Sequence, residues 1–270
     1  RENDGSLVST ANPYTFKMPK NDYSLTAGCK SNNYTVTFNY NGSGQTSSTS
    51  TVTTGYSTTL KTPNDRNLYS FIGWYTSASG GTRVGGAGET YTPSSNITLY
   101  AHWKAWTVLF DYTNLSTFNN MGNAGEDYYG NIKYYDFCKG KHASSTGTVN
   151  AKLNTGIYIS NPYNDMRTYV GTQVPVNTNN YSEIRIVLDS NPKASYEYNT
   201  ITLNFIDTNS YIENDWNNFG SFQDFIRLAS GTTYTNHSTY FSINNEGNKY
   251  LRFGFAHTGD VTIKKIYLVP

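Results

Sequence analysis

The stretch "FIGWYTSASGGTRVGGAGETYTPSSNITLYAHW", Phe71 to Trp103, decides how the first part of the chain folds. It holds two tryptophans, six glycines and no catalytic grouping. Either the aromatics meet a ligand or they hold a small domain together. A domain of this size needs large aromatics to bury enough area. Trp74 and Trp103 are therefore expected as core anchors, and the glycines as suppliers of turns and positive φ between strands.

Strand patterns extend on either side. "YTVTFNY" puts Tyr34, Val36, Phe38 and Tyr40 on one face and Thr35, Thr37 and Asn39 on the other, and Asn41-Gly42 turns the chain. "LYSFIGWY" and "NITLYAHW" are strong strands, with Leu99, Ala101 and Trp103 sharing a face in the second. The low-complexity "SGQTSSTSTVTTGYSTTL" carries Val52, Tyr56 and Leu60, which argue for a partly ordered strand or a short helical crossover. In residues 13–28, Tyr14, Phe16 and Met18 alternate with polar residues before a turn at Pro19–Asp22, and Tyr23, Leu25 and Ala27 alternate after it.

The order "VTFNYNG", "FIGWYT", "GG", Tyr91 and "NITLYAHW" resembles the Listeria–Bacteroides repeat, also called the internalin B-repeat, over residues 34–104. "YTFKMPKNDYSLTAGC" is similar to the end of a divergent relative, so residues 1–30 are expected to be the tail of a preceding repeat. The resemblance implies a small β-grasp-like module, found in tandem on bacterial surface and secreted proteins and acting as a spacer. It implies no catalytic residues.

Composition narrows the classes. Aromatic residues make up 16% of the 270-residue chain, which argues against disorder. Charged residues are only 14%, and the polar bulk is Ser, Thr and Asn, a mixture suited to an all-β protein. A net charge of +1 gives no basic footprint for nucleic acid. No apolar run is long enough for a membrane-spanning helix. No signal peptide precedes Arg1, and the chain is expected to be a segment of a larger surface protein with flanking domains. Cys29 and Cys138 are too few for a disulfide framework and too far apart for a zinc cluster. They are read as free thiols, with a bridge between domains left open.

Residues 107–270 change character. "TVLFDY", "NIKYYDF", "SEIRIVLDS", "NTITLNFIDT", "KYLRFGFAHT" and "DVTIKKIYLVP" read as strands separated by turn signals. Ile184, Ile186 and Leu188, then Ile201, Leu203 and Phe205, then Leu251, Phe253 and Phe255 are expected to point inward. "SFQDFIRLAS" reads as a short helix with Ser221 as N-cap. The expected fold is a β-sandwich of jelly-roll type. Its layout resembles carbohydrate-binding jelly rolls, a likeness that does not itself give function.

Loops in this half combine aromatics with amides and carboxylates. "GEDYYGN" carries Tyr128 and Tyr129, "ISNPYNDMRTY" carries Tyr163, and "NSYIENDWNNFGSF" carries Tyr211, Trp216 and Phe219. Aromatic planes pack on the C–H faces of sugar rings, and polar neighbours bond the hydroxyls. A site of this kind mixes apolar surface with a few placed polar groups. Trp216 leads, because polar residues on both sides make a core strand an unsuitable place for it; capping the end of the sandwich is its other reading.

Glycosidase chemistry needs two carboxylates at a set separation. Asp111, Glu126, Asp127, Asp165, Asp189, Glu213, Asp215, Asp224 and Asp260 supply candidates, and none stands out. His102, His142, His237 and His257 lack metal-ligand spacing, and no nucleophile motif occurs. No cofactor is expected, apart from a structural calcium on hard oxygen ligands such as Glu126, Asp127 or Asp260. The sequence thus points to a non-catalytic, secreted or cell-surface bacterial module that binds polysaccharide. An α-glucan such as starch is the first choice, with plant cell-wall glycans next. The rival is an adhesin or stalk domain contacting a host protein or its own neighbours.

Overall fold

The computed structural model describes residues 15, 17, 20, 31–114, 129–130, 137–141, 148–152, 156–160, 168–172, 174–192, 198–207, 221–256 and 260–270. Two compact units emerge: residues 1–65 with 71–103, and residues 66–70 with 104–270.

The first unit carries β1 (Asn33–Asn39), β2 (Ser48–Thr53), β3 (Thr58–Thr59), β4 (Tyr69–Tyr75), β5 (Arg83–Gly85), β6 (Thr90–Tyr91) and β7 (Ile97–Ala105). Five of them form one sheet in the order β2-β1-β7-β4-β5, and β3 pairs with β6. β1 runs antiparallel to β2 and parallel to β7. The low-complexity stretch is therefore strand and not helix: Val52 and Leu60 are buried as expected, whereas Tyr56 is 70% exposed beside the turn at Gly55. Asn41 and Gly42 both take positive φ at the centre of a turn in the loop between β1 and β2, where the Ser43 amide donates to the Tyr40 carbonyl. Asn41 Nδ2 also donates to the Ala78 and Ala101 carbonyls. The β-grasp likeness rests on the repeat resemblance alone.

The motif "FIGW" has a physical explanation. Phe71 and Trp74 are three apart, yet both join the same core cluster, which strict strand alternation forbids. Gly73 resolves this at φ +138, next to a register shift against β5. A Cβ there would sit 2.9 Å from Arg83 Nε and 3.1 Å from the Gly85 carbonyl oxygen. Glycine thus lets the β4 backbone take the conformation that brings both aromatics inward. Trp74 is fully buried, its ring edge-on to Phe38, Tyr40 and Phe71, and its Nε1 donates to the Lys61 carbonyl at 2.8 Å. Trp103 packs against the same cluster and donates to the Tyr40 carbonyl at 3.1 Å. Both tryptophans are core anchors, as the sequence suggested.

The second unit carries β8 (Thr107–Asp111), β9 (Tyr129–Gly130), β10 (Phe137–Lys141), β11 (Thr148–Lys152), β12 (Gly156–Ser160), β13 (Thr168–Thr172), β14 (Val176–Asn177), β15 (Glu183–Asn191), β16 (Tyr198–Ile206), β17 (Ser221–Ala229), β18 (Tyr234–Ser242), β19 (Asn248–Ala256) and β20 (Asp260–Val269). A larger sheet runs β17-β16-β19-β13-β10-β9, with β14 also on β19. A smaller sheet runs β11-β12-β20-β15-β18, with β8 also on β20. Their inner faces share one core, in which Ile184, Ile186, Leu188, Ile201, Leu203, Phe205, Leu251, Phe253 and Phe255 are all buried. The all-β sandwich of the sequence reading is therefore the observed architecture.

One expectation fails. "SFQDFIRLAS" is β17 and contains no helix. Ile226 and Leu228 are buried while Phe225 and Arg227 are exposed, a period of two that a helix cannot satisfy. Backbone pairing with β16 along Tyr198–Phe205 supplies the hydrogen bonds a helix would have made internally. Ser221 is the first residue of that strand and not a helix cap.

Candidate functional site

None of the loop aromatics singled out from the sequence can be placed as a site. Tyr128, Tyr163, Tyr211, Trp216 and Phe219 lie outside the described residues, and Tyr129 is seen only as backbone in β9, opposite Cys138. Cys29 also lies outside them.

The strands themselves supply a surface that sequence reasoning missed. In the larger sheet, Ile201, Leu203, Leu251, Phe253, Val170, Ile226 and Leu228 belong to the core. Alternation then turns Thr202, Asn204, Arg252, Gly254, Gly171, Phe225 and Arg227 to the opposite face. Register aligns them in two rows: Phe225–Thr202–Gly254 across β17, β16 and β19, and Asn204–Arg252–Gly171 across β16, β19 and β13. Thr202, Asn204 and Arg252 are nearly fully buried despite facing away from the core. The Thr202 hydroxyl donates to the Gly254 carbonyl at 3.5 Å. A Cβ on Gly171 would meet Arg252 Cγ at 3.1 Å, so the arginine stem lies across the space that glycine leaves open.

At the β17 end of this face the surface is apolar and exposed. Phe225 is 41% exposed, and the Arg227 guanidinium carbon lies 4.6 Å from its ring centroid. Asp224, in phase with Ile226, turns the other way: its Oδ2 accepts the Ser242 amide from β18 in the other sheet. An exposed ring with a guanidinium beside it offers a sugar a flat apolar plane and a polar neighbour. The signal was present in "YLRFGF" and "DFIRL", where a cation stands between apolar residues in a strand. The helix assignment hid the second.

A second exposed aromatic stands on the smaller sheet. Tyr240 is 50% exposed, and the Arg185 guanidinium lies 5.7 Å from its ring and 5.0 Å from that of Trp106. Arg185 Nη2 is bonded to Glu183 at 2.6 Å. Nearby, Lys265 and Asp111 pair at 3.1 Å. Burial pushes the Asp111 carboxyl up, but hydrogen bonds from Thr113 and the Lys265 ammonium outweigh it and hold it below its ordinary value. Burial pulls Lys265 down, and its bonds to Asp111 and Tyr267 raise it overall. Burial likewise raises Tyr267.

Of the proposed calcium ligands, Glu126 and Asp127 lie outside the described residues, and Asp260 accepts the Tyr158 hydroxyl. Among the described residues no three His, Cys, Asp or Glu side chains gather as a metal site. Among them too, no helix is long and apolar enough to cross a membrane.

The class defined by these features is an all-β protein in which a small sheet domain precedes a β-sandwich. Within it, residues 34–102 match the Listeria-Bacteroides repeat domain family. Solved structures similar to the chain include a family 6 carbohydrate-binding module, 18% identical over 47% of this chain and 84% of that one, with a TM-score of 0.31. Another is the K3 cleaved adhesin domain of Lys-gingipain from Porphyromonas gingivalis, 11% identical over 61% of this chain and 100% of that one, at 0.38. The xylan-binding module CBM15 is 14% identical over 54% of this chain and 95% of that one, at 0.34.

Proposed function

We propose that the chain is a non-catalytic polysaccharide-binding part of a secreted or cell-surface bacterial protein, with residues 34–104 acting as a spacer for the sandwich. The observation that carries this reading is the exposed Phe225–Arg227 pair on the outer face of the larger sheet. The aromatic and amide-rich loop around Trp216 supports it from the sequence. An α-glucan is the first ligand to test, and flanking domains of a larger protein supply whatever chemistry accompanies binding. No cofactor is required for this role, and a structural calcium near Asp260 remains part of the proposal. The test is affinity electrophoresis of the full chain through gels containing a panel of polysaccharides, with a non-binding protein as mobility control. Retardation by one glycan supports the module. Uniform mobility across the panel supports the rival role of an adhesin or stalk.

A further inference from the structure

Three strands of the smaller sheet lie side by side in the order β20-β15-β18, and both outer ones break register against β15 around Asp189. In β20, Ile263 and Ile266 are both fully buried, which leaves Lys264 and Lys265 together on the outer face. In β18, pairing jumps from His237 opposite Leu188 to Tyr234 opposite Ser190, and Asn236 takes φ +48. Bulges of this kind re-aim side chains. Here they aim two at one another. Lys264 Nζ donates to Asn236 Oδ1 at 2.8 Å and pairs with Asp189 Oδ2 at 2.7 Å. Asp189 Oδ1 in turn accepts the Asn236 backbone amide at 2.7 Å. The Lys264 side chain is only 16% exposed and Asp189 37%.

We propose that Lys264 and Asn236 react to form an intramolecular isopeptide bond, with Asp189 carrying the protons. The Lys264 ammonium gives one proton to the Asp189 carboxylate. The freed amine pair attacks Asn236 Cγ, forming the Nζ–Cγ bond. A second Nζ proton passes through Asp189 to Nδ2, the Cγ–Nδ2 bond breaks, and ammonia leaves and takes up the proton that Asp189 holds. One proton stays on Nζ in the new amide. Charge and atoms balance, and no oxidant or cofactor is needed. The first step breaks the Lys264–Asp189 ion pair. Loss of ammonia makes the product irreversible, however, so each molecule needs to reach the neutral pair only once. The bond would clip β18 to β20 over β15 and close a covalent loop that includes the final strand, a constraint of the kind by which cross-links stabilise folds.

Intact-mass spectrometry of the full chain, followed by peptide mapping, tests this. The expected mass is that of the sequence less one ammonia, with a branched peptide joining Lys264 to Asn236 and no tryptic cleavage after Lys264. Lys264→Arg, and Asn236→Gly, which suits the positive φ, should each restore the full mass while circular dichroism shows an unchanged sheet content. Asp189→Ala should do the same, and linkage surviving that change would overturn the role given to Asp189. The full sequence mass in the wild type after prolonged incubation would overturn the proposal. So would an ammonia loss found only in linear peptides, such as a succinimide at Asn41-Gly42.

Discussion

The two units spend their aromatic residues differently. In the first, Trp74, Phe38 and Tyr40 are buried, and Phe71 and Trp103 pack on the same cluster. In the second, the core is mostly Ile, Leu, Val and Phe, while Phe225 and Tyr240 are left on the surface with arginines against their rings. A sheet of five strands has little area to bury, so its indoles serve the core. The sandwich closes two sheets on aliphatic residues and phenylalanines, with no buried indole among the described core residues, and still leaves rings outside. An aromatic-rich chain therefore does not locate a binding site until burial is known. The first unit is not free of exposed rings: Tyr56 is 70% exposed, and Tyr75 stacks on His102 with ring centroids 3.9 Å apart. The contrast is one of degree, and mutation can sharpen it.

The largest effect is expected at Trp74. Replacing it by alanine removes a fully buried indole and its bond to Lys61, a change that costs about 3–5 kcal/mol. Domains hold only ~5–15 kcal/mol in all, so calorimetry of Trp74→Ala should show the transition of the first unit lost or sharply lowered. Trp103→Ala should act in the same direction. Wild-type melting of either variant would break the contrast.

Next comes Gly156, at the start of β12 in the sandwich. It takes φ +125, and a Cβ there would lie 2.2 Å from the Ile263 carbonyl oxygen. Gly156→Ala should lower the melting point of the second unit by the equivalent of about 1–3 kcal/mol or more, on the scale of backbone strain. An unchanged calorimetric transition would mean that the β12–β20 pairing yields without cost.

Phe225 and the sequence candidate Trp216 are expected to behave in the opposite way. Phe225→Ala and Trp216→Ala are each expected to leave melting nearly unchanged and to weaken glycan retardation. Hot-spot aromatics contribute about 2 kcal/mol or more, or roughly thirtyfold in affinity. Tyr211→Ala and Phe219→Ala should weaken it less. A sharp fall in melting temperature for Trp216→Ala would make that residue a cap of the sandwich.

The smallest effect concerns Asp111. Its carboxyl is held below the ordinary value in the folded state, so it adds stability above the unfolded aspartate range and loses it as pH falls through the folded value. Asp111→Asn should lower the melting point at neutral pH, by the equivalent of no more than about 1 kcal/mol for a partly exposed pair. The gap to wild type should close in acid. A gap independent of pH would remove the ion pair as its cause.

Much of the fold was legible because alternation in "SEIRIVLDS", "NTITLNFIDT" and "KYLRFGFAHT" leaves a single inward face for each strand. The repeat motif was legible because Gly73 and both tryptophans serve one small aromatic core. "SFQDFIRLAS" misled because Phe222, Phe225 and Ile226 are spaced like a helical stripe, and only pairing with β16 selects the strand. The outward rows of the larger sheet were not legible at all. They join residues from four strands whose register is set by tertiary pairing and not by any local motif. For the same reason sequence attention went to loops, where aromatics cluster along the chain, and passed over Phe225 and Arg252.

The most direct measurement compares double variants of the two units in the full chain, by affinity electrophoresis against the glycan that most retards the wild type. One variant replaces Tyr75 and His102 by alanine in the first unit, and the other replaces Phe225 and Trp216 in the second. Melting is recorded for both. The account predicts that the first variant keeps its retardation and the second loses it at an unchanged melting temperature. Retardation that disappears with Tyr75 and His102 but survives loss of Phe225 and Trp216 would place binding in the repeat and contradict the account.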